Sequence, residues 1–122
     1  MSLPSSESEI LLIHNPRCSK SRATKALLEE RGAEFSVREY LEDPLDEVEL
    51  AALAKRLGKP ISDWIRKGES AYEDAGLSDS SGEASMLAAV AAAPILMQRP
   101  IVVCGQRAAI GRPPEDILGL LG

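Results

Sequence analysis

The chain has 122 residues and a formal net charge of −5, a size at which one domain can bury its core without disulfide or metal staples. The acidic balance argues against general attraction to nucleic acid or to anionic membrane surfaces. With 44% hydrophobic and 27% charged residues and no apolar run near the ~20 residues of a membrane span, we expect a soluble monomer forming one domain, residues 1–122.

The N-terminal residues and the cysteines indicate a reducing compartment. Residues 1–9 lack the basic patch and apolar core of a secretory signal. The only two cysteines, Cys18 and Cys104, do not make the framework of a disulfide-rich secreted domain. We therefore expect a cytoplasmic protein, in which a reactive thiol is favoured over a structural bridge.

The first elements are a strand, a short loop and a helix. The apolar residues 10–13 predict the strand, and the helical pattern continues to Gly32. Cys18 falls at the helix N-terminus, where the helix dipole, unpaired backbone N–H groups and neighbouring basic residues lower a thiol pKa. The alternative is a buried, inert cysteine, but this context favours a nucleophile.

A second strand leads into a helical block. Alternating residues 35–39 predict the strand, and Asp46 with Glu49 resembles a capping box. The helix that follows should end at Gly58.

The helical block continues to a proline. Ser62 is expected to cap a short helix carrying Trp64, and an Ala-rich helix at residues 83–93 should stop at Pro94. Residues 44–94 are therefore predicted to form a helical insertion. Its expected core residues are Trp64, Tyr72, Met86, Leu87 and Val90.

Two strands and a final helix complete the chain. Residues 101–104 and 107–110 flank Gly105-Gln106, a pattern typical of an antiparallel hairpin with a type II′ turn. A last helix is predicted at residues 115–121, where Pro and acidic residues mark its start.

The order β-α-β, helical insertion, β-β-α predicts an α/β, thioredoxin-like fold with a four-stranded mixed sheet. In such folds a cis proline precedes the third strand, so we expect the Arg99-Pro100 bond to be cis.

Several arginines lie beside Gly, Pro or apolar residues, whereas most acidic residues fall on predicted solvated helix faces. A cationic site on an acidic protein suits a small anionic substrate, and a planar guanidinium binds oxyanions bidentately. Surface ion pairs are the alternative, and Arg107 is expected to be an exposed strand residue. The arginines in question are Arg17, Arg22, Arg66, Arg99, Arg107 and Arg112.

Four segments resemble the glutaredoxin-coupled arsenate reductase family, and the similarity covers nearly the whole chain. They are His-Asn-Pro-Arg-Cys-Ser-Lys-Ser-Arg at 14–22, Trp-Ile-Arg-Lys at 64–67, Arg-Pro-Ile-Val-Val at 99–103 and Ile-Gly-Arg-Pro-Pro-Glu at 110–115.

The resemblance implies a thioredoxin fold with a helical insertion and reduction of arsenate to arsenite, with glutathione as co-substrate, glutaredoxin as partner, and no bound cofactor or metal. A resolving thiol would come from outside, because Cys18 lacks a C-x-x-C partner. By resemblance the site residues are the nucleophile Cys18, His14 favouring the thiolate, Ser21 near the sulfur, Arg22 closing the loop, and the oxyanion-binding Arg66, Arg99 and Arg112.

The residues after Cys18 differ from those common in the family, and an alternative function is also considered. Members commonly carry Gly-Thr after the nucleophile, where this chain has Ser19-Lys20. The fold family also includes thiol-stress regulators that bind RNA polymerase without reductase activity. Those typically use C-x-x-C and lack the full arginine set, which is the opposite of the pattern here.

Overall fold

The protein is described from a computed structural model, which describes residues 3, 4 and 6–121; residues 1, 2, 5 and 122 lie outside the described part. The chain forms two compact units. One runs to Asp43 and resumes at Arg99, and the other spans Pro44–Gln98. The second unit corresponds to the predicted insertion, which therefore ends at residue 98 rather than 94.

The first unit contains a mixed sheet of strand order β2-β1-β3-β4. Its strands are β1 (Ile10–His14), β2 (Ser36–Glu39), β3 (Ile101–Cys104) and β4 (Arg107–Ile110). β1 pairs with β2 in parallel and with β3 antiparallel, and β3 pairs antiparallel with β4. This confirms the predicted α/β, thioredoxin-like architecture.

The two central strands, β1 and β3, are buried and consist almost entirely of apolar residues, whereas the edge strand β4 is only half-buried. Helix α1 (Ser19–Glu30) follows β1, and a 3₁₀ helix (Pro114–Leu120) ends the chain. Buried side chains of both helices pack with buried side chains of the sheet in one hydrophobic cluster. That cluster consists of Leu12, Leu28, Val102, Cys104, Ile117 and Leu120.

The hairpin between β3 and β4 has the predicted turn. Gly105 has a φ of 57°, a value that glycine adopts without steric cost. Gln106 has no positive φ, as a type II′ turn requires. The Arg99-Pro100 bond is cis, as predicted, and the Arg112-Pro113 bond is cis as well.

The second unit is helical. It contains α2 (Glu47–Leu57), α3 (Ser70–Asp74), α4 (Glu83–Ala92) and 3₁₀ turns at Ile61–Asp63 and Pro94–Leu96. The predicted capping box is present: the Asp46 carboxylate accepts from the Glu49 N–H at 2.8 Å, and the Glu49 carboxylate accepts from the Asp46 N–H at 3.2 Å. Trp64, Tyr72, Met86 and Val90 are buried as expected, and Leu87 is half-buried.

Two helix predictions were wrong in detail. Ser62 does not cap a helix bearing Trp64; it lies inside the 3₁₀ turn that Pro60 precedes, and Trp64 ends that turn. Ile65 then forms a bridge with Met97, so the segment leaves helical geometry. The C-terminal helix is 3₁₀ rather than α and begins at Pro114.

No helix in residues 3, 4 and 6–121 is both long enough and apolar enough to cross a membrane.

Candidate functional site

Cys18 occupies the position from which α1 begins. Its backbone is extended, with φ −96° and ψ 125°, and its carbonyl accepts from the Arg22 N–H at 3.0 Å. The preceding loop is held by Asn15, whose side-chain oxygen accepts from the Arg17 N–H at 3.0 Å. The Asn15 carbonyl accepts from the Cys18 N–H at the same distance. An Asx turn of this kind fixes the loop through one side chain, so the thiol has a defined place at the helix start.

The pKa of the Cys18 thiol is lowered from its ordinary value. Partial burial would raise it, but the backbone N–H groups of Ser21 and Lys20 and the charged Arg99 side chain stabilise the thiolate and outweigh that effect. The backbone contribution at the helix start is the one that the sequence predicted. The cation that acts on the thiol is Arg99, whereas the sequence had indicated the neighbouring Arg17, Lys20 and Arg22. Because Lys20 acts through its backbone, the departure at Ser19-Lys20 leaves this donor in place.

Arg99 supplies unused hydrogen-bond donors beside the thiol. Its side chain lies within hydrogen-bonding reach of the Cys18 sulfur. Its Nε and Nη1 atoms are buried and have no hydrogen-bond partner among the residues that the structure describes. A buried guanidinium nitrogen without an acceptor is costly, because it has given up water without replacement. Two such donors could be satisfied by the oxygens of a bound oxyanion.

Arg112 follows the end of β4, which pairs with the start of β3 next to Arg99. Its Nη1 donates to the Arg99 carbonyl at 3.3 Å, and the Gly111 N–H donates to the Pro100 carbonyl at 2.9 Å. Gly111 is required here because a Cβ would lie 2.6 Å from the Thr24 Oγ1 of α1. The loop can therefore approach α1 closely only with glycine, and this loop places the Arg112 side chain against the Arg99 backbone.

His14 acts on the loop through Ser21. Its Nδ1 lies 2.7 Å from the Ser21 Oγ, which also accepts from the Asn15 N–H at 3.0 Å. Burial lowers the pKa of His14, with Glu39 opposing and Lys25 and Arg22 adding to the effect. This shift favours the neutral form of the ring over the imidazolium. The contact that the structure shows between His14 and the loop is with Ser21, whose backbone N–H stabilises the thiolate.

Arg22 spans the loop that precedes the cysteine. Its Nη1 donates to the Pro16 carbonyl at 3.0 Å, while its side chain stays exposed. This contact joins the first turn of α1 to the loop, in keeping with the loop-closing role implied by the resemblance.

Arg66 belongs to the second unit and already has an acidic partner. Its Nη1 lies 2.7 Å from the Glu69 Oε1, and the two side chains are only 25% and 28% exposed. Its backbone is fixed because its N–H donates to the Leu96 carbonyl. It thus differs from Arg99, whose Nε and Nη1 have no partner among the described residues.

Cys104 and Arg107 lie at the other end of the sheet. Cys104 pairs with Ile10, the residue at the opposite end of β1 from His14. Four residue steps of strand amount to about 13 Å, so Cys104 is too far from Cys18 for a disulfide. The Cys104 thiol is buried and donates to the Glu7 carbonyl at 3.4 Å. Arg107 is exposed, as predicted, and approaches Glu7 at 3.8 Å.

Three residues important to the geometry were missed by sequence reasoning. They are Asn15, Thr24 and Glu69. An Asn two positions before Arg17 is a recognisable turn signal, and Glu69 lies at helical spacing from Arg66. The Thr24 contact has no sequence signal, because it joins α1 to a distant loop. In the described part of the chain, no cluster of His, Cys, Asp and Glu could hold a metal ion.

Comparisons with known proteins identify the family to which this chain is similar. The ArsC family model matches residues 13–120. An uncharacterized protein of Escherichia coli strain K12, YfgD, is 45% identical over 116 residues, covering 93% of this chain and 98% of that protein. A protein of Neisseria meningitidis serogroup B named arsenate reductase is 42% identical over 115 residues, with 93% and 98% coverage. The solved structure of an arsenate reductase from Vibrio cholerae has a TM-score of 0.87 and 39% identity, covering 92% of this chain and 97% of that one.

Proposed function

The chain belongs to the ArsC family, and we propose that it is an arsenate reductase that uses the Cys18 thiolate as nucleophile, with glutathione and glutaredoxin as external reductants. The observation that supports this most directly is the combination of a thiol of lowered pKa with a neighbouring guanidinium whose Nε and Nη1 are buried and without a partner among the described residues. A nucleophile and an oxyanion receptor are the two parts that this reaction needs.

The proposed reaction begins with attack by the Cys18 thiolate on arsenic. A sulfur–arsenic bond forms, an arsenic–oxygen bond breaks, and the leaving oxygen takes up protons and departs as water. Arg99 and Arg112 hold the remaining oxygens, because planar guanidinium groups match a tetrahedral oxyanion better than a point charge does. Arg66 is assigned to the same oxyanion by the family resemblance.

Reduction requires two external thiols. Glutathione attacks the arsenic–sulfur adduct, and exchange with glutaredoxin releases arsenite and returns Cys18 to its thiol form. Arsenic gains two electrons, and the two external thiols are oxidised to one disulfide. We propose an external resolving thiol because Cys104 is too far from Cys18 along the sheet. We further propose that the enzyme works as a cytoplasmic monomer without a bound cofactor.

The experiment is a steady-state assay of arsenite production with arsenate, glutathione and glutaredoxin, and a parallel reaction with thioredoxin as the donor. Turnover with glutaredoxin that disappears in Cys18→Ser is the expected result. Absence of arsenite with both donors would refute the activity. Retention of the protein on immobilised RNA polymerase, measured in the same preparation, would instead support the regulatory alternative.

A further inference from the structure

A groove in the first unit runs between helix α1 and the edge strand β2. Three charged residues of α1 line it at spacings of three and four positions, so they share one face of the helix. A carboxylate of β2 lines it from the other side, and the end of β1 and the loop before Cys18 complete the lining. The groove has a volume of about 590 Å³, and these residues are Arg22, Lys25, Glu29, Glu39, His14 and Pro16.

The groove carries both signs of charge, and two of its charged groups have no ionic partner. The Arg22 guanidinium donates to the Pro16 carbonyl. Neither Arg22 nor Glu39 forms an ion pair with any residue that the structure describes. Lys25 and Glu29 are 3.4 Å apart with side chains 39% and 59% exposed, and a pair this exposed is weak. The groove therefore suits a ligand that carries carboxylates and an ammonium, whereas a small oxyanion would be repelled by its two carboxylates.

We propose that this groove is the binding site of glutathione, with a carboxylate of the tripeptide held by Arg22 and Lys25 and its ammonium held by Glu39. Glutathione has two carboxylates and one ammonium at neutral pH, which is the charge pattern that the groove complements. The volume of about 590 Å³ lies within the range of about 300–1,000 Å³ found for sites of small organic ligands. The inference rests on the proposed function, which names glutathione as the co-substrate.

The groove adjoins Cys18 on the opposite side of β1 from Arg99. Pro16 precedes Cys18 by two residues, so their Cα atoms are at most about 7 Å apart. The Arg22 N–H also donates to the Cys18 carbonyl at 3.0 Å. In the sheet, β2 and β3 flank β1 on its two sides, and Arg99 directly precedes the Pro100 that leads into β3. Glutathione therefore approaches Cys18 from the β2 side and leaves the Arg99 donors to the oxyanion.

His14 provides a readout that does not depend on turnover. It is the only histidine of the chain, it lines the groove, and its pKa responds, besides burial, to the charges of Glu39, Lys25 and Arg22. Its imidazole proton signals can be followed by NMR while S-methylglutathione, which cannot react as a thiol, is added. We expect a saturable shift in the wild type, from which a Kd is obtained.

Two variants of opposite charge change test the contacts. Glu39→Gln and Lys25→Gln should each raise the Kd by about two- to fivefold, the effect of losing one exposed ionic contact. Because one variant removes a negative and the other a positive charge, a loss in both cannot result from net charge. Glu30→Gln is the control, since this exposed carboxylate of α1 lies outside the groove and its removal should leave the Kd unchanged.

A modified ligand completes the design. N-acetyl-S-methylglutathione lacks the ammonium, so it should bind the wild type more weakly, and Glu39→Gln should cause no further loss for it. The inference is overturned if no saturable shift is seen, if Glu39→Gln behaves like Glu30→Gln, or if the Glu39→Gln loss is the same for both ligands. The expected binding pattern with no arsenite from the wild type would uphold the inference and refute the proposed function. Arsenite production without that binding pattern would do the reverse.

Discussion

Arg99→Lys separates a planar anion receptor from a simple positive charge. The substitution keeps one charge near Cys18 but removes the Nε and Nη1 donors that are buried and unpartnered among the described residues. The lysine ammonium offers donors from a single point and cannot reproduce the planar fork of a guanidinium. A bidentate site should therefore lose function although the local charge is unchanged.

The magnitude follows from losing one charge-assisted contact to the transition state. By analogy with removal of an oxyanion donor, the cost is about 2–4 kcal/mol, or on the order of 10²–10³ in kcat/KM. The pKa of Cys18 should respond differently. Arg99 lowers it partly by charge, so Arg99→Lys should leave the pKa lower than Arg99→Ala does.

The assay measures kcat/KM for arsenate and the pH dependence of Cys18 alkylation in the same variants. Arg107→Lys is the control, because that arginine is exposed and lies beside Cys104 at the far end of the sheet. Near-wild-type turnover in Arg99→Lys would refute the bidentate receptor and leave only a charge effect. If Arg107→Ala proved as damaging as Arg112→Ala, the placement of the anion pocket beside Arg112 would be wrong.

Further variants test the thiols and the loop that approaches α1. The alkylation rate of Cys18 should have its midpoint below the pKa of an ordinary thiol, since its pKa is lowered; a midpoint at the ordinary value would contradict the assigned environment. Cys18→Ser should abolish arsenite production, whereas Cys104→Ser should retain most of it, and two equally inactive variants would mean that both thiols take part. Gly111→Ala forces a Cβ to 2.6 Å from the Thr24 Oγ1 and should reduce the free energy of unfolding by about 1–3 kcal/mol, measured by urea denaturation. Gly119→Ala, where a Cβ meets nothing within 4 Å, should cost much less, and an equal loss in both would argue against the steric explanation.

Local patterns determined much of the fold. The apolar run before Cys18, the capping box of Asp46 and Glu49 and the Gly105 turn each depend on neighbouring residues. Such local patterns form the same element wherever the apolar face is buried. The order of the elements and the start of the helix at Cys18 could therefore be predicted from the sequence. The region around Trp64 could not, because the backbone N–H groups of Arg66 and Gln98 find partners in a segment some thirty residues away in sequence.

The candidate site divides in the same way. Cys18 and its arginines could be named from residue types and motifs, because nucleophilicity and anion binding belong to those side chains. What each side chain touches depends on distant segments. His14 is buried and lies within hydrogen-bonding distance of Ser21, and the Arg112 side chain reaches the Arg99 carbonyl where Gly111 packs against Thr24. Burial and hydrogen-bond partners arise only when the chain has folded, so the availability of the Arg99 donors was decided by tertiary structure alone.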